Sequence, residues 1–205
     1  MVVVAGATIR GRLVYDGKPV PGAEVGLVAH DSSMGRWYPE VRIGTGDDGS
    51  FAITNVPPVR IWELHPTMES LASRGIGADL VECETKYDGQ EVNLGDVRLM
   101  RARSLRGKVI LSDAKPIPPE MHVTIGTSRF RDGRVMKLNA DGSFRFDGLP
   151  DGIYSVIPAV QGYRLPNDCA IVCQSVEIMV NKDVKDFVIK MVPEAVPLPQ
   201  VQPVF

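Results

Sequence analysis

Short alternating runs of apolar and polar residues, separated by turn-forming residues, cover most of the chain. Thr8–Tyr15 alternates imperfectly and stops at Asp16-Gly17, a turn dipeptide. Ala23–Ala29 alternates apolar and small residues. Asp47-Asp48-Gly49 and Ala140-Asp141-Gly142 are tight turns, each followed by an aromatic strand start. The aspartates supply a side-chain cap and the glycines a positive φ. Val56-Pro57-Pro58 and Leu149-Pro150-Asp151-Gly152 turn into strands at Ile61–Leu64 and Ile153–Ile157, and the last strands fall at Val92–Leu99 and Asp183–Val192. The helix candidate is Met68–Arg74, ended by Gly75.

The pattern repeats. Ile9-Arg10-Gly11-Arg12-Leu13-Val14 returns as Leu105-Arg106-Gly107-Lys108-Val109-Ile110, and Lys18-Pro19-Val20-Pro21 as Lys115-Pro116-Ile117-Pro118. Asp48-Gly49-Ser50-Phe51 returns identically as Asp141-Gly142-Ser143-Phe144, and Asn55-Val56-Pro57 as Gly148-Leu149-Pro150. Arg60–Leu64 returns as Gly152–Val156, and Asp96–Leu99 as Asp186–Ile189. The matches keep one order, so they describe two tandem copies of one module, 7–100 and 102–192. Each holds about seven short strands with turns every 8–12 residues, the signature of an antiparallel β-sandwich. The expected fold class is all-β: two tandem antiparallel Greek-key sandwiches, with a short helix in a loop of the first. Met100–Ser104 is too short for a free linker, so a rather fixed arrangement of the copies is expected. Residues 193–205 hold four prolines and no glycine and read as an extended, polyproline-like tail or linker.

Composition agrees. Gly 20 and Pro 16, together 36 of 205 residues, are poor in helix interiors and exclude a helical bundle. Net charge is -2, which argues against a nucleic-acid footprint. Residues 1–100 carry 9 Lys/Arg and 14 Asp/Glu, whereas 101–205 carry 14 and 11, so the copies differ in surface charge. No stretch approaches 18 apolar residues, so no membrane insertion is expected. The apolar run Met1–Ala5 is too short for a signal core, and the sequence as it stands is expected to carry no export signal. Cys83, Cys169 and Cys173 are too few for a disulfide framework. Cys169 and Cys173 would lie about 13 Å apart on a strand, too far for a bridge without a bend. Buried or free thiols are the expectation, against a bridge or metal site.

The motifs resemble the carboxypeptidase regulatory-like domain family. The first copy shows Gly17-Lys18-Pro19-Val20-Pro21-Gly22-Ala23-Glu24-Val25 and Asp47-Asp48-Gly49-Ser50-Phe51. The second shows Asp141-Gly142-Ser143-Phe144 and the fuller Gly148-Leu149-Pro150-Asp151-Gly152-Ile153-Tyr154-Ser155-Val156. The first copy departs at Pro57–Trp62, where the glycine before the aromatic is missing, and the second at Pro119-Glu120-Met121, where Gly-Ala is missing. The resemblance implies a transthyretin-like sandwich, non-catalytic and appended to larger exported, periplasmic or cell-surface bacterial proteins. It identifies fold more than function.

No catalytic constellation is evident. His30, His65 and His122 stand alone, without metal-ligand spacing. No Gly-x-Ser-x-Gly or phosphate-binding loop occurs. The purine-pathway hydrolase of the transthyretin fold ends in Tyr-Arg-Gly-Ser, whereas this chain ends Gln202-Pro203-Val204-Phe205. Pilin-type sandwiches form Lys–Asn isopeptide bonds assisted by a buried Glu; Pro158 and Pro66 stand where that Glu would fall. Asn139, Asp141 and Ser143 resemble only part of a calcium loop and read as turn caps. The chain is therefore expected to be no enzyme and to use no cofactor or metal.

Two surface features remain. Asp132-Gly133 reads as a hairpin tip from which Arg129, Phe130, Arg131 and Arg134 project. Trp37 and Tyr38 lie in the loop after the second strand, where aromatics suit sugar stacking or a protein contact. These six are the candidate ligand or partner contacts. The expected function is a non-catalytic structural or protein-interaction module of a larger bacterial exported or envelope protein. A carbohydrate-binding module is the alternative, and a transthyretin-like hydrolase is a third reading. Expected partners are other domains of the parent protein or envelope proteins, with polysaccharide as the alternative. The residues leave the compartment open; the resemblance implies the periplasm, the cell surface or secretion.

Overall fold

The computed structural model describes residues 5–29, 41–127, 132–166 and 175–194. The first half contributes β1 (Ala7–Tyr15), β2 (Lys18–Pro19), β3 (Glu24–Ala29), β4 (Val41–Gly44), β5 (Ser50–Val56) and β6 (Arg60–Pro66). Next come helix α1 (Met68–Leu71), a 3-10 turn at Ala72–Arg74, β7 (Ile76–Gly77), β8 (Val81–Thr85), β9 (Glu91–Arg98) and β10 (Met100–Arg101). The second half contributes β11 (Arg103–Leu111), β12 (His122–Thr127), β13 (Gly133–Lys137), β14 (Ser143–Leu149), β15 (Gly152–Ala159), β16 (Tyr163–Arg164), β17 (Val176–Val180) and β18 (Val184–Pro193).

These strands form two sandwiches. In the first, β1 pairs with β2, β5 and β9, facing the sheet β4-β3-β6-β8. In the second, β14-β11-β18-β16 faces β13-β12-β15-β17. Alternation sends Ile9 and Leu13 inward to a core with Val25, Leu27, Ile53 and Leu64, while Arg10 and Arg12 point out to Glu91 and Asp96. The second core holds Leu105, Val109, Ile125, Phe146, Tyr154 and Ile189.

Pairing is antiparallel except that β1 runs parallel to β9 and β11 parallel to β18. The chain therefore leaves each sandwich at the end opposite to its entry. The registers also correct the last repeat match. Leu13 faces Val97 and Val109 faces Ile189, so Val97 corresponds to Ile189 rather than to Phe187. The slip is two residues, which leaves every side chain on the same face and is invisible to an alternation pattern.

The repeated turns are structural. Ser50 N–H donates to Asp48 Oδ1 at 3.0 Å and Ser143 N–H to Asp141 Oδ1 at 3.0 Å. Gly49 and Gly142 have φ of 75° and 81°. The hydroxyls of Ser50 and Ser143 hold the two aspartates below the usual carboxylate range.

The turn before the aromatic strand is capped differently in each copy. Tyr154 OH donates directly to Pro150 O at 2.7 Å. In the first copy one more residue separates Pro57 from Trp62, and Val59 takes a φ of 59°. Trp62 Nε1 donates instead to Thr85 Oγ1 at 3.0 Å, and that hydroxyl donates to Pro57 O at 2.8 Å. Arg60 faces Thr85 where Gly152 faces Val180, so threonine with tryptophan replaces valine with tyrosine.

Candidate functional site: the joint between the sandwiches

The loop after β6 has eight residues between Pro66 and Gly75, whereas the matching loop after β15 has three between Pro158 and Gly162. The extra residues build α1 and the 3-10 turn, which form a wedge between the sandwiches. Thr67 precedes the helix with extended backbone, and its hydroxyl donates to Ser70 Oγ at 3.0 Å. Glu24 N–H donates to Ser70 Oγ at 3.0 Å and Thr67 N–H to Glu24 O at 2.8 Å, which tie the wedge to β3. Gly75 ends it in the left-handed region, and Arg74 Nη2 donates to Pro21 O at 2.8 Å.

The opposite side of the wedge belongs to the second sandwich. Met68 is 3% exposed and packs with Leu105, Phe146 and the rest of the second core, though it lies in the first repeat. Its N–H donates to Asp132 Oδ2 at 2.8 Å. Arg134 Nε donates to Glu69 Oε2 at 2.9 Å, its Nη1 donates to Asp147 O, and its guanidinium lies over Phe146. A Cβ on Gly148 would collide with Ala72 Cα, and one on Gly77 would stand 2.6 Å from Pro150 Cγ. β10 pairs with β7, and Ala102 N–H donates to Gly75 O at 2.9 Å, so the connection itself is tied down. Magnitudes rank these contacts. Glu69 is largely exposed, so its ion pair contributes at most about 1 kcal/mol. Burial of Met68 contributes about 2 kcal/mol and dominates.

A cleft of about 730 Å³ opens beside the wedge, lined by His65, Asp79 and Glu82 of the first half and Asp132, Asp151 and Tyr154 of the second. Burial first, then the carboxylates of Asp132, Asp151 and Asp79, push the Tyr154 phenol well above its ordinary value. It stays protonated and bound to Pro150 O. Cys83 is buried in the first core, and burial pushes its thiol up to about 11. Both groups are held in their unreactive forms at neutral pH. Among the described residues no three His, Cys, Asp or Glu side chains are placed to hold a metal ion. Among them no helix is long and apolar enough to cross a membrane.

Of the residues singled out from the sequence, Trp37, Tyr38, Arg129, Phe130 and Arg131 lie outside the described residues, as do His30, Cys169 and Cys173. Arg134 does not project into solvent: its side chain is 12% exposed and belongs to the joint. Asp132 is 6% exposed and receives the wedge, so its side chain does not stand on an exposed tip. The reason is long-range. The wedge presents a helix-start N–H with no acceptor inside the helix, and a buried N–H requires one. His65, which stands alone in the sequence, is buried. Sequence reasoning missed Met68, Asp132 and Gly148 as joint residues; the signal available was the unequal loop length.

No protein-family model matches the chain, and no curated protein does. Among solved structures, it is similar to the Bacillus anthracis TIE protein at 18% identity and a TM-score of 0.37, over 92% of this chain and 34% of that one. A Streptococcal ancillary pilin matches at 15% identity and 0.41, over 95% and 64%. GBS52, the minor pilin of Streptococcus agalactiae, matches at 13% and 0.41, over 97% and 100%. The chain thus spans about a third of the first and under two thirds of the second. The all-β sandwich architecture itself stands on the strand pairing.

Proposed function

We propose that this chain is a non-catalytic structural unit of carboxypeptidase regulatory-like type, a stiff tandem spacer within a larger bacterial exported or cell-surface protein. Its partners are other domains of that protein or envelope proteins. The observation that carries the reading is the joint, where a wedge of the first copy is built into the core of the second. Such a contact resists bending, which a spacer needs and a pair of independent binding modules does not. The family-like motifs support the reading, because their residues serve turns and cores.

Small-angle scattering of the wild type and of Met68→Ala/Arg134→Ala tests it. The wild type should fit one rigid envelope, and the variant should show a broadened interdomain distance distribution. A wild type that already bends freely refutes the spacer. The carbohydrate-binding alternative rests on Trp37, Tyr38, Arg129, Phe130 and Arg131, since Arg134 is engaged with Glu69. A glycan-array signal lost in Trp37→Ala would favour it.

A further inference from the structure

The direction of the chain through each sandwich decides how it answers a pull. β1 runs parallel to β9 with six residue pairs in register, from Thr8 with Glu91 to Val14 with Arg98. β11 runs parallel to β18 with six more, from Leu105 with Val184 to Leu111 with Met191. A further backbone bond closes the far end of each ladder: Leu99 N–H donates to Val14 O at 2.7 Å, and Ser112 N–H to Met191 O at 2.9 Å. Side chains cross the same seams. Arg10 pairs with Glu91 at 2.8 Å, and Arg12 holds both carboxylate oxygens of Asp96 at 2.9 and 3.0 Å. In the second sandwich the N–H and the hydroxyl of Ser104 both donate to Asp183. Only residues 99–102 separate β9 from β11, so one seam follows the other with little slack.

A pull on the two ends of the first sandwich draws β1 toward its start and β9 toward its finish. The two strands are then loaded along their length in opposite senses. Their backbone bonds lie across that direction and must give way together, in one slip. Antiparallel first and last strands would bring both chain ends out on one side, and the same pull would part the bonds pair by pair. The geometry sets the ratio. Six pairs breaking over one residue step of about 3 Å, against one pair for about 7 Å of chain freed, is a force ratio of about tenfold. Thermal breakage during a slow pull lowers that ratio to about threefold or more. We propose that the tandem carries tension, each sandwich acting as a shear clamp whose seam is the pairing of its first and last strands. This deepens the spacer reading and rests on it, since a spacer fixed between two attachments is what a pull acts upon.

Single-molecule force spectroscopy on the full chain tests this in two pulling directions. In one arm the handles sit at the two chain termini. In the other they sit on azide-bearing side chains placed at the exposed positions Lys18 and Arg98, where β1 and β9 finish side by side. The terminal pull should give two abrupt steps, one per sandwich, each releasing about 300 Å of chain. The lateral pull should open the first sandwich at a force lower by about threefold or more. Equal rupture forces in the two arms overturn the proposal, and so does gradual lengthening under the terminal pull. The two readings fail separately. A joint that bends freely in scattering while the force ratio holds refutes the stiff spacer alone, and a stiff joint with equal forces refutes the clamp alone.

Discussion

Thr85→Val removes the hydroxyl that relays Trp62 to Pro57 while keeping the volume of a residue that is fully buried. It strands the buried Trp62 indole N–H, 3.0 Å from that oxygen, and frees the Pro57 carbonyl, 2.8 Å from it, which lies on an exposed residue and turns to water. The buried unsatisfied N–H costs about 1–3 kcal/mol, and the added methyl returns about 0.8 kcal/mol. The net loss is about 1 kcal/mol. For a cooperative unit of this length that lowers Tm by about 2–4 °C. Urea denaturation followed by far-UV circular dichroism measures it. Trp62→Phe supplies the control: with the indole N–H gone, Thr85→Val strands no buried donor, so the two changes should couple by about 1 kcal/mol in a double-mutant cycle. A single-variant loss below about 0.5 kcal/mol, or a cycle that closes with no coupling, refutes the relay.

Gly148→Ala would place a methyl on the Ala72 backbone at a φ of 76°, and should cost about 2–3 kcal/mol with faster hydrogen exchange in the wedge, whereas a fully stable variant would show the joint to be loose. On the acid side, Ser50 and Ser143 hold Asp48 and Asp141 below the usual carboxylate range, Arg12 does so for Asp96 and Arg103 for Asp151. Folded pKa values below the unfolded ones give stability that is complete above about pH 4 and is lost as pH falls further; urea midpoints at pH 6 and pH 3 should show it, and Asp48→Asn/Asp141→Asn should flatten the difference. On the alkaline side, Cys83 ionises near 9 when unfolded and near 11 when folded, so its contribution is complete below pH 9 and disappears as pH rises toward 11. Cys83→Ala should therefore show a smaller drop in urea midpoint between pH 8 and pH 10.5 than the wild type does.

The turns and cores were legible because they are local. Asp48-Gly49 and Asp141-Gly142 carry their turn chemistry within two residues, and Phe51 and Phe144 follow at once. Met68–Arg74 was legible as a helix by its Gly75 stop, and it divides into an α turn and a 3-10 turn. The parallel pairing of first and last strands was not legible, since alternation specifies which face a residue takes and not which way its neighbour runs. Asp132 was misread for a related reason. Asp-Gly is a turn signal in isolation, but here the carboxylate is recruited by a backbone N–H 64 residues earlier in the chain. Nothing local announces such a partner.

Comparison of the copies separates the two kinds of information further. Asn55 and Gly148 occupy matching positions, and both take a positive φ, 58° and 76°. Asparagine tolerates that conformation, so the backbone alone does not require glycine. What requires it is Ala72, whose Cα stands where a Cβ on residue 148 would be. The same logic applies to the loop after each sixth or fifteenth strand: the shared Pro66 and Pro158 end a strand, while the five extra residues of the first copy make the wedge. Identities between the copies thus belong to the sandwich that both must build. Differences that local conformation does not demand belong to what each copy touches, and the wedge of the first copy and Gly148 of the second meet at the joint.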